Sequence, residues 1–161
     1  MSVQPWIAAA TALLSAYATA VSIASFPKLQ KYEDKAKRAA EWSEMADKRL
    51  WDTRYTVGAG FVTASTSSLS ALYHTVFVPR PSGMLVVGWP ILMASAAIYV
   101  QRYMRSFWDS KAKIPLLDDY NEAISDTKTV IDTMTWISIG WVAVALSTIG
   151  AMFSAEASLP Q

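Results

Sequence analysis

Charged residues come in blocks along this chain, and the gaps between the blocks predict its elements. Residues 1–27, 55–79, 81–101 and 133–155 contain no Asp, Glu, Lys or Arg. A helix rises about 1.5 Å per residue, so roughly 20 apolar residues cross the ~30 Å hydrocarbon core of a bilayer, and each gap is long enough. The pattern predicts an all-α integral membrane four-helix bundle, one domain over residues 1–161. Its spans are expected at about 6–26, 55–78, 84–103 and 133–155, with helical cytoplasmic connections.

The local signals refine this. Trp6 is placed as an interfacial anchor, Pro27 marks the end of span one, and Ala8, Ala9, Ala10, Ala16, Ala18 and Ala20 allow close helix approach. From Lys28 to Arg54 there is no Gly or Pro, and Tyr32, Ala36, Ala39, Ala40, Met45 and Ala46 recur at helical spacing. With Lys35, Lys37, Arg38, Glu41, Glu44 and Lys48 as solvent-facing partners, that segment predicts a cytoplasmic amphipathic helix, either separate or continuous with span two. Span two carries Thr63, Ser65, Thr66, Ser67, Ser68 and Ser70. Such hydroxyls serve either helix packing or the polar wall of a cavity.

Val78-Pro79-Arg80-Pro81-Ser82-Gly83 predicts a tight turn that makes spans two and three antiparallel neighbours. Pro90 predicts a kink in span three, and Tyr99, Tyr103, Phe107 and Trp108 with Arg102 and Arg105 form an interfacial anchor. Beyond Ile114-Pro115-Leu116-Leu117, a helix from about Asp119 is expected to run through Asp126 and Asp132 into span four, with Trp136 and Trp141 near its cytoplasmic end. The chain shows no internal repeat and no low-complexity tract.

Composition agrees, at 53% hydrophobic residues. Of the 14 Lys and Arg, all but Arg80 lie between Lys28 and Arg54 or between Arg102 and Lys128. The positive-inside rule therefore puts those two connections in the cytoplasm, and both termini and Arg80 on the other side. Acidic residues nearly balance the basic ones, for a net charge of +1, so the expected partner is the lipid bilayer and no nucleic acid. Without cysteine there is no disulfide, thiolate metal site or thiol nucleophile, and the single His74 excludes a multi-histidine site. No metal site and no cofactor are predicted. Ala18-Thr19-Ala20 looks like a signal-peptide cleavage site, but the segment lacks a basic start and is long enough to span.

A first span ending in Ser25-Phe26-Pro27, followed by Trp51-x-x-x-Tyr55-x-x-Gly58 opening span two, is similar to the small four-span proteins of the anthrone oxygenase-like family. Pro115 followed by Asn121-Glu122-Ala123-Ile124, with Trp136 opening span four, resembles two further segments of that family. The resemblance implies a cofactor-independent monooxygenase of secondary metabolite biosynthesis, held in an endomembrane. Its substrate would be a small hydrophobic polycyclic aromatic or polyketide-like molecule, oxidised without metal or flavin.

That chemistry needs a pocket for a planar substrate, a base that generates an electron-rich anion, and access for O₂. Trp51, Tyr55 and Asn121 fall at motif positions, and Tyr55 and Asn121 can hydrogen-bond a phenolate or ketone oxygen. The expected catalytic residues are Tyr55, Asn121 and His74, the last on chemistry alone. The expected substrate contacts are Trp51, Gly58, Ser67 and Trp136. Two departures stand out: Pro115 and Asn121 are separated by five residues, and 133–155 lacks the arginine that follows the family's tryptophan. His74 also lies about five turns along span two from Tyr55.

Two other readings compete. In Asp118-Asp119-x-x-Glu122, with Asp126 one turn later, carboxylates at positions i, i+3 and i+7 share a helix face, and the cluster resembles half of the aspartate-rich Mg²⁺-diphosphate site of prenyl-diphosphate enzymes. Alternatively, the chain is a non-catalytic structural or accessory subunit, with a second copy or a membrane-complex partner packed on the small residues of spans one and two.

Overall fold

Each uncharged stretch falls largely within one long helix. In a computed structural model of the chain, the backbone is described over residues 3–40, 44–77, 84–109 and 118–157, and side chains over 3–31, 48, 51–77, 86–109 and 121–154. The helices are α1 (Gln4–Ala40), α2 (Glu44–Phe77), α3 (Met84–Trp108) and α4 (Asp118–Ala157), with no strand among the described residues. α4, at 40 residues, is about 60 Å long and runs from the acidic segment through Asp126 and Asp132 into the apolar one, as the sequence predicts. Two stretches, Gln4–Lys31 and Asn121–Ser154, are long and apolar enough to cross a membrane. The hydroxyls between Thr63 and Ser70 dilute α2, and α3 turns polar at Gln101 and Arg102.

Pro27 does not end the first helix, which continues to Ala40. Its ring sits on the exposed side of α1, where the missing N–H costs one bond to the carbonyl of Ile23. The charged segment is thus divided between the end of α1 and the start of α2: from Glu44 it is continuous with span two, and up to Ala40 it continues span one rather than forming a helix of its own. The amphipathic side chains from Tyr32 to Ala46, the turn at 78–83 and the connection holding Pro115 lie outside the described residues. Pro90 is accommodated inside α3 and is fully buried.

α1 packs against both α2 and α4, and α4 also packs against α3. The α2–α3 contact is the slightest of the four neighbouring pairs, although only six residues, 78–83, separate them. α2 and α4 barely meet across the diagonal.

The buried positions advance in alternating steps of four and three. In α1 they are Gln4, Ala8, Thr11, Ser15, Ala18, Ser22, Ser25 and Leu29; in α2, Thr53, Val57, Gly60, Ala64, Ser67, Ala71 and His74. α4 has Ala123, Thr127, Val130, Met134, Ile137, Trp141, Val144 and Thr148. In α3, Pro90, Ala94, Ala97, Met104 and Trp108 keep the same rhythm, with half-buried Gln101 in the gap. A 3.5-residue period is the signature of helices that wind around one another with a left-handed supercoil. Most of these seam residues are small or carry hydroxyls. The large side chains Leu13, Tyr17, Ile23, Val62, Leu69, Leu72, Phe77, Leu92, Ile139, Leu146 and Phe153 point outward. Of the six alanines expected to pack in span one, Ala8 and Ala18 are buried, whereas Ala10, Ala16 and Ala20 are exposed.

Candidate functional site

At mid-bundle the seam positions of three helices meet in a hydrogen-bonded chain. Trp141 Nε1 donates to Ser67 Oγ at 2.7 Å, and Ser67 Oγ lies 2.8 Å from Ser15 Oγ. Ser15 spends its only hydroxyl hydrogen on the carbonyl of Thr11, at 2.8 Å, so Ser67 is the donor between the two serines. The order is therefore indole to Ser67, Ser67 to Ser15, and Ser15 to the α1 backbone. Thr11 in turn donates to the carbonyl of Ile7 and packs against the bare Cα of Gly140. Similar cross-helix bonds lie toward the two ends. Gln4 Nε2 donates to Thr148 Oγ1 at 3.0 Å, and Trp108 Nε1 donates to Thr56 Oγ1 at 3.2 Å.

His74 lies two turns beyond Ser67 on the same seam and is 4% exposed. Its ring meets that of Trp141 edge-on, with centroids 5.6 Å apart, and its Nδ1 is buried without a hydrogen-bond partner. Ser65 Oγ is also buried and unpaired. An unsatisfied buried polar atom costs about 1–3 kcal/mol, so the two stand apart from the otherwise paired interior.

The residues expected to form one site are distributed over different faces. Ser67 and His74 are inside the bundle, joined through Trp141. Trp51, Tyr55 and Trp136 point outward, 60%, 71% and 61% exposed. Tyr55 meets Tyr103 of α3 edge-on at 6.3 Å, and Trp51 lies 5.5 Å from the Arg54 guanidinium. Gly58 has open space where a side chain would project, and Asn121 is half-buried at the start of α4. Trp108, expected as an interfacial anchor, is buried, and Trp141, expected near the cytoplasmic end of span four, is a core donor.

At the charged end, Lys28 bridges to Glu122 at 3.1 Å and Asp126 at 2.6 Å, tying α1 to α4. Two carboxylates of the acidic cluster are thus held by an ammonium; the side chains of Asp118 and Asp119 lie outside the described residues. Arg105 pairs with Asp132 at 3.1 Å. No group of three or more His, Cys, Asp or Glu placed to hold a metal occurs among the described residues.

Sequence reasoning picked out Ser67 and His74 but missed Ser15, Thr56 and the interior roles of Trp108 and Trp141. The available signal was the 4–3 spacing of small and hydroxyl residues, which links Ser15 to Ala8 and Ser22, and Ser67 to Gly60 and His74. Comparisons with family models, with curated proteins and with solved structures find no match to this chain.

Proposed function

We propose that this chain is a multi-pass membrane protein in which all four helices cross the bilayer, and that it acts as a non-catalytic structural or accessory subunit. One observation carries the reading: the polarity of the bundle is inverted. Large aliphatic and aromatic side chains cover the outside, while Ala, Gly, Ser and Thr predominate in the seams of α1 and α2. In water that outer surface would drive aggregation, whereas in lipid it is the solvated one. Association there depends on close backbone approach and interhelical hydrogen bonds, which small and hydroxyl seam residues supply. Most buried hydroxyls bond back to their own helix, and Ser15, Ser67, Thr56 and Thr148 also take part in bonds between helices. Trp51, Tyr55 and Trp136 face away from that interior, which supports a surface for lipid and partner helices over a pocket.

The test is purification of the tagged full-length chain from alkali-washed membranes in mild detergent, with a tag at Gln161 probed in sealed vesicles. Retention in the washed membrane, a tag on the non-cytoplasmic side, and a stoichiometric second protein or second copy are expected. Release by alkali overturns the membrane reading. A monodisperse single chain that turns over a polycyclic phenol overturns the accessory role.

A second reading, the anthrone oxygenase-like enzyme, is favoured by one specific observation. His74 Nδ1 is an unpaired base candidate in the bundle interior, beside Trp141 and two turns from Ser67. Incorporation of labelled O₂ into a model anthrone by membranes holding the chain, above empty membranes and insensitive to chelator, would establish it. Loss of that signal in His74→Leu would locate the site.

A further inference from the structure

Between α1 and α2, at the charged end, lies a cleft of about 410 Å³ lined by Phe26, Leu29, Gln30, Thr53, Arg54 and Val57. Its position follows from the sequence. The uncharged run of α1 ends at Pro27 and that of α2 begins after Arg54, so both walls change from polar to apolar at the same level. Gln30, Thr53 and Arg54 stand on the charged side of that boundary. Phe26 and Val57 stand on the apolar side, where Phe26 meets Phe61 edge-on at 5.4 Å and links the two helices. The ring of Trp51 lies 5.5 Å from the Arg54 guanidinium and helps fix the cation at the rim.

A cleft with this gradient matches an amphiphile lying parallel to the helices. A guanidinium beside a side-chain amide presents donors suited to phosphate oxygens, and guanidinium recognises them in a planar, two-point geometry. The volume is at the lower end of the range for small-molecule sites, enough for a head group and the top of one chain. We propose that this cleft binds one anionic phospholipid, with its phosphate diester on Arg54 and Gln30 and an acyl chain running over Phe26 and Val57. The assignment rests on the membrane reading above. A lipid at this place bridges α1 and α2 beside the Lys28 link between α1 and α4, so three helices are tied together at one level.

The experiment is native mass spectrometry of the purified full-length chain in mild detergent, titrated with dioleoylphosphatidylglycerol, dioleoylphosphatidylcholine or glycerol 3-phosphate. Wild type is compared with Arg54→Gln, Gln30→Glu and Arg105→Gln. Gln30 is exposed, so Gln30→Glu adds repulsion at the cleft mouth without opening the core, and circular dichroism checks that each variant folds. Phosphatidylglycerol is expected to bind wild type and Arg105→Gln as a single adduct, and Arg54→Gln and Gln30→Glu about tenfold more weakly. Phosphatidylcholine is expected to bind less tightly than phosphatidylglycerol, and glycerol 3-phosphate not to bind. Equal phosphatidylglycerol binding by wild type and both cleft variants overturns the proposal, as does an equal loss in Arg105→Gln, which would mean unspecific charge attraction. Binding of glycerol 3-phosphate in place of lipid also overturns it, assigning the cleft to free phosphate. Failure of the membrane reading itself shows separately, as release of the chain by alkali.

Discussion

Three glycine-to-alanine substitutions should have three different effects on stability, because their surroundings differ while the chemistry of the change does not. Alanine is preferred over glycine in a helix by about 1 kcal/mol, and this gain is common to all three. At Gly58 nothing lies within 4 Å of the added methyl, so Gly58→Ala should keep the whole gain. At Gly60 the methyl would come within 2.8 Å of Met104 Cε and Sδ, the far end of a flexible side chain. Moving Met104 consumes much of the gain and leaves Gly60→Ala near neutral.

At Gly140 the methyl would collide with Thr11 Oγ1 and approach Thr11 Cβ and Cγ2 to 3.2 Å. Thr11 is β-branched, and its hydroxyl is bonded to the Ile7 carbonyl at 2.8 Å, so it cannot swing aside and α1 and α4 must separate. Overpacking of this kind costs about 1–3 kcal/mol, and the rigid neighbour puts Gly140→Ala in the upper part of that range. Net of the propensity gain, it should lose about 1–2 kcal/mol, a fall of roughly 2–8 °C in Tm for a chain of this size. The assay is thermal unfolding in mild detergent followed by tryptophan emission. Thr11→Ala removes Oγ1 and Cγ2 and leaves only Cβ, at 3.2 Å, so the Thr11→Ala/Gly140→Ala double variant should recover most of the loss, with a coupling of about 1–2 kcal/mol. Equal stability of Gly58→Ala and Gly140→Ala, or no rescue by Thr11→Ala, would refute the α1–α4 packing described above.

Further substitutions probe the interior and the charged end. Ser67→Ala strips the acceptor from Trp141 Nε1 and the donor from Ser15, and should lower stability by about 1–2 kcal/mol with a shift in tryptophan emission. An unchanged melt and spectrum would mean that the indole bonds elsewhere. His74→Leu removes an unpaired nitrogen but also the edge contact with Trp141, so the bundle should gain up to about 1 kcal/mol in unfolding. A clear loss of stability would show that Nδ1 has a partner such as water. Lys28→Met breaks the bridge to Glu122 and Asp126, a partly exposed pair, so it should cost under about 1 kcal/mol, less in high salt. A salt-insensitive loss would locate its effect in packing of the lysine stem instead.

The existence and order of the helices were legible because charge segregation is a strong, local signal: four uncharged runs, four helices. Their extents were less so. Pro27 looks like a stop in isolation, yet the helix passes through it: the ring lies on the open side, and Ser25 and Leu29 on either side of it are buried in the bundle. The slight α2–α3 contact was hidden for another reason. A short connection fixes that two helices are near each other, but the residues along the seams decide how closely they pack.

The interior was legible only in part, and the reason applies directly to the candidate site. Trp51, Tyr55 and Gly58 are spaced by four and then three residues, so they form a stripe on α2. Thr53, Val57 and Gly60 are spaced identically and form another. Spacing alone cannot say which stripe faces the other helices. In water the hydrophobic effect would choose the stripe with the larger apolar side chains, and the aromatic one would be buried. In lipid that preference disappears, since the solvent is as apolar as leucine, and the stripe that lets backbones approach and hydroxyls pair goes inside. Thr53, Val57 and Gly60 are buried, while Trp51 and Tyr55 are exposed. The motif that prompted an enzymatic reading therefore lies on the face that, by the same lipid argument, meets the surroundings, where tyrosine and tryptophan anchor a helix whether or not they touch a substrate.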